Sequence, residues 1–197
     1  MFLFWAVSVV ILGLLIGSFL GVCIHRIPIG KGWEDDSFFE ENGLSVPKQR
    51  TAPPGVEKIG VASPARSFCP NCHAQLRWFH NLPLLSWLWL RGRCAFCQTP
   101  IPVRYPLVEL LSASCAFLSF YVHGATPTAL IVYCSCAALI VVSFIDYDYY
   151  IIPDSITKSG TALGLLLSIV NEYTAVFNPP VASGVLDSLL GVVLGAG

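Results

Sequence analysis

The stretch "ALIVYCSCAALIVVSFIDYDYYIIPD", Ala129 to Asp154, passes from an unbroken apolar run into three carboxylates, Asp146, Asp148 and Asp154. A helix crossing a bilayer needs about 20 apolar residues at 1.5 Å each, and the run is of that length. The rest of the chain follows the same habit: of 197 residues, 55% are hydrophobic and 12% charged, with a mean hydropathy of +0.69. Soluble domains carry about 25% charged residues, so an ordinary soluble enzyme is excluded. Spans are expected at about 2–24, 106–123, 128–146, 156–171 and 181–197. The N-terminal run is expected to stay as an anchor. No basic residue precedes it, no small-x-small cleavage site follows, and it exceeds a signal peptide's apolar core. The fifth run reaches Gly197 through "SLLGVVLGAG" without a charged flank or polar tail, so the chain is expected to be C-terminally incomplete.

Ten of the eleven Lys and Arg lie between Arg26 and Arg104. The positive-inside rule places this insert in the cytoplasm, with Arg26, Lys31, Arg91, Arg93 and Arg104 close to the flanking spans. Spans two and three then form a hairpin through "HGATPT", and Asp146 arrives at the cytoplasmic face.

The insert divides by composition. Its first half, rich in charge, Pro and Gly, reads as loop, and the acidic cluster Glu34, Asp35, Asp36, Glu40 and Glu41 as a solvated face. Its second half holds "CPNC" and "CAFC", placing Cys69, Cys72, Cys94 and Cys97 in two C-x2-C pairs separated by 21 residues. That pattern predicts a structural four-thiolate zinc site, because each pair closes a tight turn and four sulfurs complete a tetrahedron. Two disulfides or redox pairs are the alternatives, and a cytoplasmic location disfavours stable disulfides. His73 and His80 are expected outside the ligand set. Trp78, Trp87 and Trp89, flanked by Arg77, Arg91 and Arg93, suit the headgroup boundary. Ten basic residues against six acidic ones make a weak excess without a stripe, so nucleic acid is not an expected partner.

The three acids are unequal. Asp154, after Pro153, or Ser155 suits the cap of the next helix. Asp146 falls at a helix C-terminus, where the macrodipole disfavours negative charge by roughly 0.3–1 kcal/mol. An acid kept at the edge of a span is a functional-site hypothesis. Asp148, two residues on, points about 200° away on a continuous helix and is expected to face solvent. Paired carboxylates suit peptide hydrolysis, one protonated to polarise the carbonyl and one ionised to activate water. Asp146 supplies one half. Glu109, in "RYPLVELL", is expected in the first turn of its helix, where an acid is favourable on structural grounds.

Together, "GSFLGVCIHRIP" (17–28), the two cysteine pairs, "NLPLLSWLWLRGRC" (81–94), "RYPLVELLSA" (104–113) and "IDYDYYIIPD" (145–154) resemble the type IV prepilin peptidases. The resemblance implies an all-α polytopic membrane protein with a small cytoplasmic four-cysteine zinc module inserted between the first two transmembrane helices. Its parts are residues 1–24 as the first helix, 25–105 as the insert with the zinc module at about 66–105, and 106–197 as helices two to five, an incomplete peptidase region. It also implies an aspartic endopeptidase of the bacterial inner membrane. Such an enzyme removes the basic leader of prepilins or type II secretion pseudopilins at the cytoplasmic face, cutting after a Gly. It then N-methylates the new N-terminal residue with S-adenosylmethionine. Asp146 corresponds to one catalytic aspartate and Cys69, Cys72, Cys94 and Cys97 to the zinc ligands. The second aspartate, in G-x-G-D, is expected beyond Gly197. The methyl-donor site is not assigned by any motif, since no G-x-G-x-x-G follows a strand. A noncatalytic membrane adaptor and a proton-coupled transporter are the competing classes, the latter expecting acids near mid-membrane.

Overall fold

The apolar runs become helices in chain order: α1 (Phe2–Gly30), a 3₁₀ turn (Trp78–Asn81), α2 (Leu85–Trp89), α3 (Arg104–His123), α4 (Pro127–Tyr149), α5 (Asp154–Thr174) and α6 (Val185–Gly195). The computed structural model describes residues 1–30, 60–61, 67–69, 71–174 and 185–195. The acidic cluster at 34–41 lies outside them. Among the described residues there is no strand, only two isolated bridges. Three helices among the described residues are long and apolar enough to cross a membrane: Phe2–Pro28, Arg104–His123 and Pro127–Tyr149. The runs expected as spans four and five form α5 and α6, which are not among these three. The polar opening "DSITKSGT" lowers the hydropathy of α5, and of the expected fifth run only Val185–Gly195 is described.

The bundle is built on the crossing of α1 and α3. A Cβ on Gly13 would lie 2.7 Å from Ala113 Cα, and one on Gly17 would lie 2.6 Å from Glu109 Cα. Glycine at these positions therefore lets the two backbones touch, the usual means of close packing where lipid removes the hydrophobic drive between helices. The hydroxyl of Ser112 donates to the Gly13 carbonyl at 2.8 Å and lies 2.9 Å from the Tyr133 hydroxyl. Helices α1, α3 and α4 thus share one buried polar node, since lipid offers these hydroxyls no partner. Leu20, Ile24, Val108, Val141 and Ile145 form the apolar core that joins the same three helices. The outer faces carry exposed Leu12, Phe19, Leu118, Leu130 and Leu139, as a lipid-facing surface requires.

The hairpin between α3 and α4 is set by local chemistry. Gly124 ends α3 at φ 67°, and the Thr126 side chain accepts the Ala129 N–H ahead of Pro127, which sits at the helix start. At the far end of α4, Tyr150 turns left-handed (φ 55°) and its N–H closes on the Asp146 carbonyl at 2.7 Å. This brings the C-terminal ends of α1 and α4 and the N-terminal end of α3 together, next to the cysteine module.

Candidate metal centre and the acidic end of the third span

The two cysteine pairs fold into matching loops. Cys69 N–H donates to the Ala74 carbonyl, His73 N–H to that of Cys69, and Leu76 N–H to that of Ser67. The second loop repeats all three bonds with Cys94 and Thr99, Gln98 and Cys94, and Ile101 and Gly92. Bridges join Phe68 to Gln75 and Arg93 to Pro100. His73 and Gln98 both take positive φ, 56° and 59°. Every member of one loop matches the residue 25 positions later in the other. Side-chain identity hides this repeat, because only the cysteines coincide.

Facing each other, the loops gather the sulfurs of Cys69, Cys72, Cys94 and Cys97 within 4.8 Å of one another. Sγ of Cys69 and Sγ of Cys97 are 3.8 Å apart. A tetrahedron with metal–sulfur bonds of about 2.3 Å has edges of about 3.8 Å, so the set fits one metal ion. All eight cysteines of the chain are free, which removes the paired-disulfide alternative. His73 and His80 are not in the cluster.

The four thiols are electrostatically unequal. Cys97 is pulled down to about 5, first by the Thr99 hydroxyl and N–H and then by Asn71. Burial pushes Cys69 up to about 12. One sulfur is thus a ready thiolate, while the buried one gives up its proton only to a cation.

The module is fastened to the bundle. Leu84, at φ 57° before α2, donates its N–H to Glu109 Oε2 at 2.8 Å. Glu109 is 9% exposed and faces α1 at Gly17. It lies beyond the first turn of α3, which begins at Arg104. The expected first-turn placement therefore gives way to a buried acceptor for the module. Arg26, also buried, reaches the carbonyls of Gly60 and Val61 at 3.4 and 3.3 Å. Between module, α1 and α3 lies a cavity of about 680 Å³ whose wall includes Arg26, Glu109, Trp87 and Tyr105.

The acids of "IDYDYYIIPD" are separated. Asp148 is held by Arg104, Nη2 to Oδ2 at 2.8 Å and Nη1 to Oδ1 at 3.1 Å. Its expected solvent-facing role is replaced by this two-point pair to the start of α3. Asp146 is exposed, on the last turn of α4. Asp154 opens α5 and pairs with Lys158 at 2.6 Å. No acidic side chain is bonded to Asp146 among the described residues.

The family described as Bacterial Peptidase A24 N-terminal domain matches residues 11–123, from α1 through the cysteine module to the end of α3. The chain belongs to that family. Curated relatives called "Prepilin leader peptidase/N-methyltransferase" include one from Pseudomonas putida, 38% identical over 94% of this chain and 59% of its own length. One from Neisseria gonorrhoeae is 36% identical over 92% of this chain and 60% of its own, and one from Aeromonas hydrophila 38% identical over 85% and 56%. The chain thus spans under two thirds of the relatives it matches. No solved structure matches it. Of the residues that position this family member's site, Arg104, Leu84 and Ser112 were not predicted, since an ion pair or a buried acceptor between distant segments leaves no local pattern.

Proposed function

We propose that the chain forms the metal-bearing part and the first catalytic half of a prepilin leader peptidase/N-methyltransferase. In this reading the module lies on the cytoplasmic side of the bacterial inner membrane and holds structural zinc through Cys69, Cys72, Cys94 and Cys97. Four closed thiolates suit zinc and leave no open position for catalysis. Asp146 is one carboxylate of an aspartic pair that removes the basic leader from prepilins or pseudopilins. The second carboxylate comes from a part of the protein corresponding to the length of the relatives outside the match. The proposed parts remain 1–24, 25–105 and 106–197, and S-adenosylmethionine is the methyl donor.

The observation that carries this reading is the division of labour at the end of α4: Arg104 engages Asp148, whereas Asp146 stays exposed. An acid at a helix C-terminus is unfavourable unless something uses it, and Asp146 stands at the module end, where a leader would be presented. A proton-coupled pathway would place its acids near mid-membrane. In the full-length protein, Asp146→Asn should abolish leader removal while metal content and membrane insertion persist. Retained cleavage would sink the assignment.

A further inference from the structure

The helix α2, "LSWLW", is built inside out. Its one polar side chain, Ser86, lines the cavity between module, α1 and α3 together with Trp87. The residues facing away are Leu85, Leu88 and Trp89, which share one helix face at i, i+3 and i+4 and are 63%, 64% and 79% exposed. A surface helix of a water-facing module carries the opposite arrangement, apolar inward and polar outward.

Two contacts fix the depth of this helix. Leu84, immediately before it, donates its N–H to Glu109, beyond the first turn of α3, at 2.8 Å. The Nε1–H of Trp87 donates to the Ile101 carbonyl at 3.2 Å, just ahead of the start of α3 at Arg104. The 20 residues of α3 reach about 30 Å, the thickness of a bilayer's hydrocarbon layer. Its first turns therefore lie at the membrane boundary, and α2, bracketed between them, lies there too. Val103 and Leu107, at the same end of α3, are exposed apolar side chains as well.

The charge of the module is one-sided. All six acidic residues of the insert stand at or before Glu57, whereas Lys58 to Arg104 holds six basic residues and no acidic one. Arg91 and Arg93, just past the end of α2, are exposed. Among the described residues, no acid pairs with either. An apolar face at the boundary, followed by unpaired guanidinium groups, matches acyl chains beneath anionic headgroups.

We propose that α2 is an interfacial anchor that binds anionic phospholipid. Leu85, Leu88 and Trp89 enter the edge of the acyl layer, and Arg91 and Arg93 hold lipid phosphates, which the planar guanidinium suits. Lipid is the occupant because the tethers hold this face at the depth where lipid is. The assignment does not depend on which reaction the protein performs.

The test uses the metal-loaded full-length protein in native membranes and in nanodiscs. A photoreactive benzoylphenylalanine in place of Leu88, irradiated in native membranes, should give phospholipid adducts by mass spectrometry. From nanodiscs of equimolar phosphatidylglycerol and phosphatidylcholine, the lipid retained on the protein should be enriched in phosphatidylglycerol. Arg91→Gln combined with Arg93→Gln should lower that enrichment about fivefold. Arg91→Lys with Arg93→Lys keeps the charge and should keep the enrichment, whereas loss of a purely structural role would affect both variants. Adducts to another protein in place of lipid, or equal enrichment in the wild type and the glutamine variant, would overturn the proposal. If the glutamine variant loses its metal, the crosslink at Leu88, made with both arginines intact, decides.

Discussion

Leu84 donates its backbone N–H to the buried Glu109 carboxylate at 2.8 Å, so a loop of the cysteine module hangs on the second membrane helix. Glu109→Ala removes the acceptor and leaves a part-buried N–H unpaired, which costs about 1–3 kcal/mol. Glu109→Gln keeps an acceptor oxygen and should cost less. Limited proteolysis within residues 70–100 should accelerate in the alanine variant and remain near wild type in the glutamine variant. Equal protection in both would show that the contact is dispensable.

Cys69→Ser or Cys94→Ser should reduce bound metal from one ion per chain to near zero, measured by elemental analysis. Each substitution removes a buried ligand of a closed four-sulfur set, and the remaining three sulfurs cannot complete it.

Acid should release the metal as well. The Cys97 thiol is held down to about 5 from an ordinary value of 9.0, so the stability its thiolate contributes is full only above that ordinary value and declines below it. It is lost as pH falls through about 5. Cys69, pushed up to about 12 by burial, is protonated at neutral pH without metal and must release that proton on loading. Metal binding should therefore acidify an unbuffered solution, and retention should fall as pH drops toward 5. A chelator-competition titration across pH 4.5–8 checks both signs, and pH-independent affinity would contradict them.

Arg104→Gln removes a pair whose side chains are 36% and 18% exposed. Partly exposed ion pairs contribute about 0–1 kcal/mol, so the melting temperature in detergent should change little. A double-mutant cycle with Asp148→Asn should return a coupling energy below about 1 kcal/mol.

Gly17→Leu should separate α1 from α3, because even a Cβ would sit 2.6 Å from Glu109 Cα. Overpacking of this kind costs about 1–3 kcal/mol or more. The melting temperature in detergent should fall, and the Glu109–Leu84 contact should loosen with it. Gly160→Leu, where a Cβ meets nothing within 4 Å, is the control.

The helical membrane architecture was legible in the sequence because apolar runs of spanning length have few alternatives. The thiol cluster was equally legible, because C-x2-C spacing fixes a local turn. The close approach of α1 to α3 at Gly13 and Gly17 was not read from the sequence, because the partner residues on α3 depend on packing. Arg104–Asp148 and Leu84–Glu109 were hidden because each joins segments far apart in the chain. The expected fourth run lies within α5, and of the expected fifth run only α6 is described.

The repeat of the cysteine loops has a consequence for assembly. Each loop is half of a bivalent chelator, and neither two-sulfur half completes a tetrahedral site by itself. Affinity then depends on the effective concentration at which the connecting segment presents one half to the other. That segment contains Leu84, tethered to Glu109. Docking on the membrane bundle therefore narrows the search of one half for the other, and the lipid-embedded helices act as a template for a metal site whose four sulfurs all come from the module.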